Sequence, residues 1–346
     1  MRSNMIYALC VTATAALVAT SAVAQDISDV YKDKTVTIIV GYGAGGTYGR
    51  TSLLLAAHLS KVIPGNPTVV VQHMPGAGGL KATNYFANVA PKNGLYLLMP
   101  PEMTIVSELL RPNKVKFKTK ELTWLGRVFG QNVTLAIRRD AGAKTLQDLK
   151  TKQIIVASSG KGSPTFLVPS MLNALLGTKL KIVVGYRGSR KMQFAMEQGE
   201  VQGVALGWTA WDSAKAAWFK GGDKSYAIAL VQSGFSRQKG IEHVPRIRDF
   251  LKNEDDKKVA KMLASAAVIG RGLVLPPGAP RKFVKPLRAA FAAVTKDEAF
   301  IKDAYKRRLL VNPLTGAQIQ KVVNDLMAMP EATRKRAREM IFGKKS

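Results

Sequence analysis

A glycine-rich turn near the start of the chain is the first segment whose residues could bind a ligand. An apolar run, residues 36–40, leads into Gly41-Tyr42-Gly43-Ala44-Gly45-Gly46 and then Thr47, together called the first glycine loop (residues 41–47). This is the Gly-x-Gly-x-x-Gly spacing of a dinucleotide-binding turn, in which the backbone approaches a pyrophosphate at a helix N-terminus. A carboxylate suits the same amides equally well. The loop therefore predicts an anion site, with a turn that binds nothing as the alternative.

A dinucleotide would need an acidic residue about 20 positions further on to hold its ribose hydroxyls. The next apolar run, residues 68–71, ends in Gln72 and His73, and no Asp or Glu occurs between Lys34 and Pro101. The first carboxylate after the loop is Glu102. We therefore expect neither a nicotinamide nor a flavin cofactor, and no other cofactor.

Two more loops combine an apolar run with glycines. Pro75-Gly76-Ala77-Gly78-Gly79 forms the second glycine loop (residues 75–79), and Ser158-Ser159-Gly160-Lys161-Gly162-Ser163 forms the third loop (residues 158–163). Serines can also cap a helix and donate hydrogen bonds. Because α/β proteins bind ligands at the carboxyl ends of parallel strands, the three loops are predicted to meet at one site.

The elements that must position these loops are short and alternate along the chain. Predicted strands cover residues 36–40, 68–71, 96–99, 134–137, 154–157, 181–184 and 203–206; predicted helices cover 50–60, 79–89, 164–176 and 190–198. Strand and helix in alternation indicate an α/β fold with mostly parallel sheets. The end of the chain, residues 280–346, is predicted to be helical and basic.

The first 24 residues have the features of an export signal. Arg2 precedes an apolar stretch over residues 6–18, and Ala22-Val23-Ala24 offers small residues for cleavage after Ala24. Cys10 lies in this segment, so we expect a mature chain without disulfides. The expected location is the periplasm.

The charge is strongly positive, with 52 Lys plus Arg against 23 Asp plus Glu. Such a charge favours small anions, nucleic acid or anionic lipid as partners. Nucleic acid is disfavoured, because exported proteins rarely meet it and the aromatic residues are not interleaved with basic ones. The basic run Arg334-Lys335-Arg336-Ala337-Arg338 is interpreted as a solvated helix, with docking to a membrane or partner as the alternative.

Several segments, in order along the chain, resemble the Bug-type solute receptors of tripartite tricarboxylate transporters. The first glycine loop resembles their Pro-Phe-x-x-Gly-Gly loop, and the second matches their Pro-Gly-Ala-Gly-Gly segment. Further matches are Ala90-Pro91-Lys92-Asn93-Gly94, Trp124, the third loop, Tyr186-Arg187-Gly188 and Leu275-Pro276-Pro277-Gly278-Ala279-Pro280. Gly49 and Gln202 replace acids common in the family, which leaves the identity of the ligand open.

The resemblance implies a two-lobed, Venus-flytrap binding protein with a mostly parallel sheet in each lobe. Lobe one would comprise residues 26–126 plus 272–346 and lobe two residues 127–271, with a hinge where the chain crosses near Arg127 and Arg271. A small organic anion, expected to be a carboxylate, would bind between the closing lobes and be delivered to the permease subunits of a tripartite tricarboxylate transporter. The protein is expected to act as a monomer.

Amides of the first glycine loop and Gly78 would bind the anion from lobe one, and the third loop with Gly188 from lobe two. Side chains of Tyr42, Tyr186 and Arg187 would tune selectivity, while Trp208 would either wall the pocket or belong to the core. Arg187 has an alternative as a surface cation. The predicted ligand-binding residues are Tyr42, Gly43, Ala44, Gly45, Gly46, Thr47, Gly78, Ser158, Ser159, Gly160, Gly162, Ser163, Tyr186, Arg187, Gly188 and Trp208.

Catalytic patterns are weak by comparison. His58, His73 and His243 are far apart and lack metal-ligand spacing, and the chain has no Gly-x-Ser-x-Gly elbow. We therefore expect no catalytic residues and no bound metal, and we expect that the protein is not an enzyme. The alternative function is an exported α/β enzyme acting on a small carboxylic ester or acid.

Overall fold

A computed structural model describes residues 27–343 of the chain. The predicted export signal, its cleavage site and Cys10 therefore lie outside the described residues.

The strands are β1 (Thr35–Val40), β2 (Thr68–His73), β3 (Tyr96–Met99), β4 (Thr123–Phe129), β5 (Val133–Arg138), β6 (Ile154–Ser158), β7 (Leu180–Val184), β8 (Gly203–Gly207), β9 (Ala227–Ser233), β10 (Arg271–Leu275) and β11 (Leu314–Thr315). The α-helices are α1 (Ile27–Tyr31), α2 (Thr47–Leu59), α3 (Leu80–Asn88), α4 (Thr104–Leu110), α5 (Asp148–Thr151), α6 (Pro164–Leu176), α7 (Ser189–Glu197), α8 (Trp208–Lys215), α9 (Glu254–Ala264), α10 (Ala266–Ile269), α11 (Arg281–Lys296), α12 (Glu298–Lys306), α13 (Gly316–Met327) and α14 (Glu331–Phe342).

The strands form two separate sheets. The first has the order β11-β4-β10-β3-β1-β2 and the second β7-β6-β8-β5-β9. In the first, β1 pairs in parallel with β2 and β3, whereas β10 lies antiparallel between β3 and β4. In the second, β6 pairs in parallel with β7 and β8, whereas β5 lies antiparallel between β8 and β9. Among the strands of residues 27–343, only β10, β11 and β5 oppose the common strand direction of their sheets, which confirms the predicted α/β fold with mostly parallel sheets.

Every strand and helix predicted inside the sheet-forming part of the chain is present. The seven predicted strands correspond to β1, β2, β3, β5, β6, β7 and β8, and α6 has the predicted bounds. Sequence reasoning missed β4, β9, β10 and β11. The C-terminal segment is helical as predicted, with α11 to α14.

Each sheet is covered by helices whose apolar faces are buried. In the first sheet, Leu55 of α2 and Phe291 of α11 join Ile38 of β1 in one core cluster. In the second, Trp211 of α8 and Met196 of α7 belong to a cluster beside β8. Burial of these side chains provides the main favourable free energy that holds helices to sheets.

The chain passes between the sheets at three places. β4 ends at Phe129 in the first sheet and β5 begins at Val133 in the second. The return path runs through α9 and α10 to β10. The last helix, α14, packs against α4 as well as against α6 and α9. The exact lobe limits given above stay a prediction.

Candidate ligand-binding pocket

A pocket of about 40 Å³ lies between the two sheets at the carboxyl ends of their parallel strands. A water molecule needs about 10–15 Å³ on the same measure, so the pocket has room for a group of a few atoms. It is lined by Tyr42, Gly46, Thr47, Tyr48, Glu102, Ser159, Ser163, Pro164, Thr165, Gly188, Ser189, Met192, Leu206, Gly207, Ala210 and Arg271.

Four helices begin at this pocket. The residues that precede α2, α6, α7 and α8 are Gly46, Ser163, Gly188 and Gly207, and all four line it. A helix N-terminus carries unpaired amides and a partial positive charge. None of these four helices has an acidic residue in its first turn to neutralise that charge. The convergence creates a positive potential suited to an anion.

Two buried hydrogen-bonding atoms at the pocket have no partner among residues 27–343. They are Oγ1 of Thr47 and Nε of Arg271. Thr47 is 2 % exposed and Arg271 is 3 % exposed. Buried polar atoms in native proteins are almost always paired, because leaving one unpaired costs free energy. Both atoms are therefore candidates to contact a ligand.

A buried ion pair contributes to one side of the pocket. Arg271 Nη1 donates to Glu102 Oε2 at 2.5 Å, and the guanidinium carbon lies 3.7 Å from the ring centre of Tyr48. Burial acts to lower the pKa of Arg271, but the neighbouring Glu102 carboxylate outweighs it and holds this pKa above its ordinary value. Burial raises the pKa of Tyr48, which stays a neutral phenol.

Hydrogen bonds join the two sides of the molecule around the pocket. The Gly43 amide donates to the Arg187 carbonyl at 2.9 Å, and the Thr47 amide to Ser189 Oγ at 3.3 Å. Ser107 Oγ donates to the Gly162 carbonyl at 3.3 Å. The loops of the two sheets are thus in direct contact, and two amides predicted to bind a ligand are used in that contact.

The second glycine loop lies against the third loop and does not line the pocket. The Tyr42 hydroxyl donates to the Gly78 carbonyl at 2.9 Å. Gly78 has a φ of +71°, and a Cβ there would lie 2.6 Å from the backbone nitrogen of Ser163. Glycine is required because the main chains of the second and third loops touch.

An outer groove of about 500 Å³ adjoins the pocket, sharing Tyr42 and Ser159 with it. It contains the cations Lys81 and Arg187, and His73, whose Nδ1 lies 2.8 Å from the Tyr42 carbonyl oxygen. Its remaining lining residues are Gly41, Met74, Pro75, Gly76, Ala77, Gly78, Gly79, Gly185 and Tyr186.

The predicted site residues divide into three groups. Those lining the pocket are Tyr42, Gly46, Thr47, Ser159, Ser163 and Gly188. Those found in the outer groove instead are Gly78, Tyr186 and Arg187. Those lining neither space are Gly43, Ala44, Gly45, Ser158, Gly160, Gly162 and Trp208.

Several residues of the third group support the site from outside. Ser158 Oγ accepts from the Gly160 amide at 3.1 Å and lies 3.1 Å from Thr165 Oγ1, so it shapes the third loop. Trp208 packs edge-on against Phe219 within an apolar cluster. Gly43, also of this group, donates its amide to the carbonyl of Arg187, a groove residue whose side chain is exposed.

Sequence reasoning missed ten of the residues that line the pocket: Tyr48, Glu102, Pro164, Thr165, Ser189, Met192, Leu206, Gly207, Ala210 and Arg271. Thr165 and Ser189 lie within two residues of predicted loop residues, so the prediction for the loop hydroxyls could have been extended to them. Glu102 also left a signal, as the first acid after a long stretch without one. Arg271 had none, since it reaches Glu102 only through the pairing of β10 with β3.

Within residues 27–343, no group of three or more His, Cys, Asp or Glu is placed to hold a metal ion. In the same range, no helix combines the length and apolarity that a membrane span requires.

The fold and pocket define a two-lobed α/β solute-binding protein. Residues 54–335 match the sequence profile of the tripartite tricarboxylate transporter family receptor, TctC. The chain belongs to this family of periplasmic solute-binding receptors, which confirms the family predicted from the glycine loops.

A relative is similar to the chain in sequence, and two solved structures share its fold. The chain is 25% identical over 289 residues to a Cupriavidus necator protein described as "UPF0065 protein in gbd 5'region", covering 81% of this chain and 80% of that protein. It superimposes on the periplasmic binding protein BugD with a TM-score of 0.69 at 19% identity, covering 89% of this chain and 98% of BugD. MatC of Rhodopseudomonas palustris, solved with bound malate, gives a TM-score of 0.68 at 19% identity, covering 89% and 99%.

Proposed function

We propose that this receptor captures a small organic carboxylate in the pocket between its two sheets and delivers it to the permease of a tripartite tricarboxylate transporter. The ligand's negative charge would lie at the four helix N-termini. Thr47 Oγ1 and Arg271 Nε would donate to it, with Ser159, Ser163 and Ser189 at the margin.

The observation that carries the proposal is the convergence of four unneutralised helix N-termini on one small pocket. A cation would meet an unfavourable potential there, and an apolar ligand would leave buried donors unpaired. The malate bound to MatC, a protein of similar fold, is a ligand of the proposed class.

Closure of lobes around the ligand accounts for the contacts that join the two sides. We propose that residues 26–126 plus 272–346 and residues 127–271 move as the two lobes. Ligand contacts made from both sides would shift the equilibrium toward the closed arrangement. The Gly43 to Arg187 bond would form only on closure.

The proposed location is the periplasm, after cleavage near Ala24, and the proposed state is a monomer. We further propose that the protein binds its ligand without turnover. Formation of a product from a carboxylic ester or acid would overturn this part of the proposal.

The test is a thermal-shift screen of the chain from Gln25 onward against dicarboxylates, tricarboxylates, aromatic acids and nicotinamide cofactors, at two salt concentrations. A ligand at about 100 times its dissociation constant adds about 2.7 kcal/mol to stability, enough to raise the melting temperature by several degrees. We expect a shift confined to a class of carboxylates. No shift with any acid, together with a shift by a cofactor, would contradict the proposal.

A further inference from the structure

An acidic residue, Glu102, lines the pocket. Its negative charge is unexpected in a site for anions, because it would repel them. Glu102 follows β3, lines the pocket and is 2 % exposed. It is held there from two directions: its Oε2 accepts from Arg271 Nη1 at 2.5 Å, and its amide donates to Tyr48 Oη at 2.7 Å. Its position is therefore fixed by packing and hydrogen bonds.

The second oxygen of this carboxylate has no protein donor. Within residues 27–343, no hydrogen bond reaches Glu102 Oε1, while Oε2 is paired with Arg271. The buried atoms at the pocket that lack a partner within residues 27–343 are the donor Nε of Arg271 and the hydroxyl of Thr47. The pocket therefore combines donors for an anion with one acceptor that an anion cannot satisfy.

A simple carboxylate would leave Glu102 Oε1 unpaired and would add like charge beside it. A ligand whose carboxylate is accompanied by a hydroxyl or ammonium group would use the donors and the acceptor together. The pocket, at about 40 Å³, holds only a few atoms, so such a donor must lie close to the carboxylate.

We propose that Glu102 makes this receptor selective for 2-hydroxy or 2-amino carboxylates over unsubstituted acids of the same length. The inference rests on the proposed function, since it requires the ligand's carboxylate to lie in the pocket. The donor on carbon 2 would bond to Glu102 Oε1, while Arg271 keeps Oε2 occupied.

The test compares matched ligands by isothermal titration calorimetry on the chain from Gln25 onward. The pairs are malate or aspartate against succinate, 2-hydroxyglutarate against glutarate, and lactate against propionate. We expect the substituted member of at least one pair to bind at least about tenfold more tightly than its unsubstituted partner.

Glu102→Gln should reduce that ratio to less than about threefold, because the amide oxygen would turn to Arg271 and its NH₂ would face the ligand. Glu121→Gln is the matched control, since it makes the same charge change at an exposed residue that pairs with Lys118. The control should keep the wild-type ratio. If Glu102→Gln does not fold, Glu102→Asp replaces it, withdrawing the oxygen while keeping the charge.

The outcomes separate this inference from the proposed function. Binding of carboxylates with equal affinity within every pair would overturn the selectivity and leave the receptor function standing. An unchanged ratio in both Glu102 variants would also overturn the role of Glu102. No binding by any acid would overturn both.

Discussion

The first and second glycine loops have similar sequences and follow neighbouring strands, yet only the first lines the pocket. The first places Gly46 and Thr47 in the pocket, at the start of α2. The second presses Gly78 against the main chain of Ser163 and does not line the pocket. In the first loop Gly46 lines the pocket while the Gly43 amide donates to the Arg187 carbonyl, whereas in the second loop Gly78 lets the main chains of two loops touch.

The largest expected effect comes from placing the same acid in each loop. Thr47→Glu puts a carboxylate among the helix N-termini, where it would occupy the anion's position. Ligand affinity should fall more than about 1,000-fold, equivalent to about 4 kcal/mol. Ala77→Glu is the matched control, because Ala77 is exposed in the second loop. Its affinity should change less than about threefold.

Calorimetry measures both affinities, and circular dichroism with thermal melting confirms that each variant is folded. Equal losses of affinity in the folded Thr47→Glu and Ala77→Glu proteins would show that the two loops do not differ as described.

The second expected effect concerns the contact between Gly78 of the second loop and the main chain of Ser163 in the third loop. Gly78→Ala would bring a Cβ to 2.6 Å from the Ser163 nitrogen, so the loops could not meet and affinity should fall at least about tenfold. Gly76→Ala is the control, since Gly76 also has a positive φ, +147°, but a Cβ there meets only the Lys81 side chain.

Both glycine variants should lose about 1 kcal/mol or more of stability from backbone strain. Only Gly78→Ala should weaken binding as well, as measured by calorimetry. An equal loss of ligand affinity in Gly76→Ala would show that backbone strain alone weakens binding and that the contact between the loops has no role in it.

The third expected effect concerns the unpaired hydroxyl of the first loop. Thr47→Val keeps the shape of the side chain and removes Oγ1, so affinity should fall about 3- to 10-fold, as for one lost hydrogen bond. Thr47→Ser keeps the hydroxyl and should stay within about twofold of wild type. Wild-type affinity in Thr47→Val would place the ligand away from this hydroxyl.

The smallest expected effect is at Arg187, where the two loops meet the outer groove. Its side chain is exposed and its carbonyl, retained in Arg187→Ala, makes the bond to Gly43. Affinity for a small carboxylate should change less than about threefold, with a slower association rate at low salt.

Stopped-flow association at low and high salt measures this difference. Lys321→Ala is the control, since this cation is exposed on α13 and pairs with Asp325. A large loss of affinity in Arg187→Ala would support the clamp predicted from the sequence.

The strands and helices near the first three loops were predictable because their periodicity and glycine punctuation are local. β1, β3 and α6 lie within a residue of the predicted bounds or match them. β4 and β10 were missed because a glycine and an arginine interrupt their apolar runs, Gly126-Arg127 in β4 and Arg271-Gly272 in β10. Only the folded chain shows that they pair.

The pocket was predictable to the same extent. Loop residues such as Thr47 and Ser163 follow from motifs, whereas Glu102 and Arg271 are 169 positions apart and belong to no motif. Their meeting depends on strand order in the first sheet. The ligand-facing chemistry of this pair could not be inferred from spacing.

The bond between the Gly43 amide and the Arg187 carbonyl joins main chain to main chain. Any residue can supply the carbonyl at position 187, whereas a Cβ at position 43 would lie 3.1 Å from that carbonyl oxygen, so glycine is favoured there. This contact between the two sides is therefore independent of the side chain at position 187. A biosensor designer could replace the Arg187 side chain to change what the outer groove recognises and still keep the main-chain bond that we propose forms on closure.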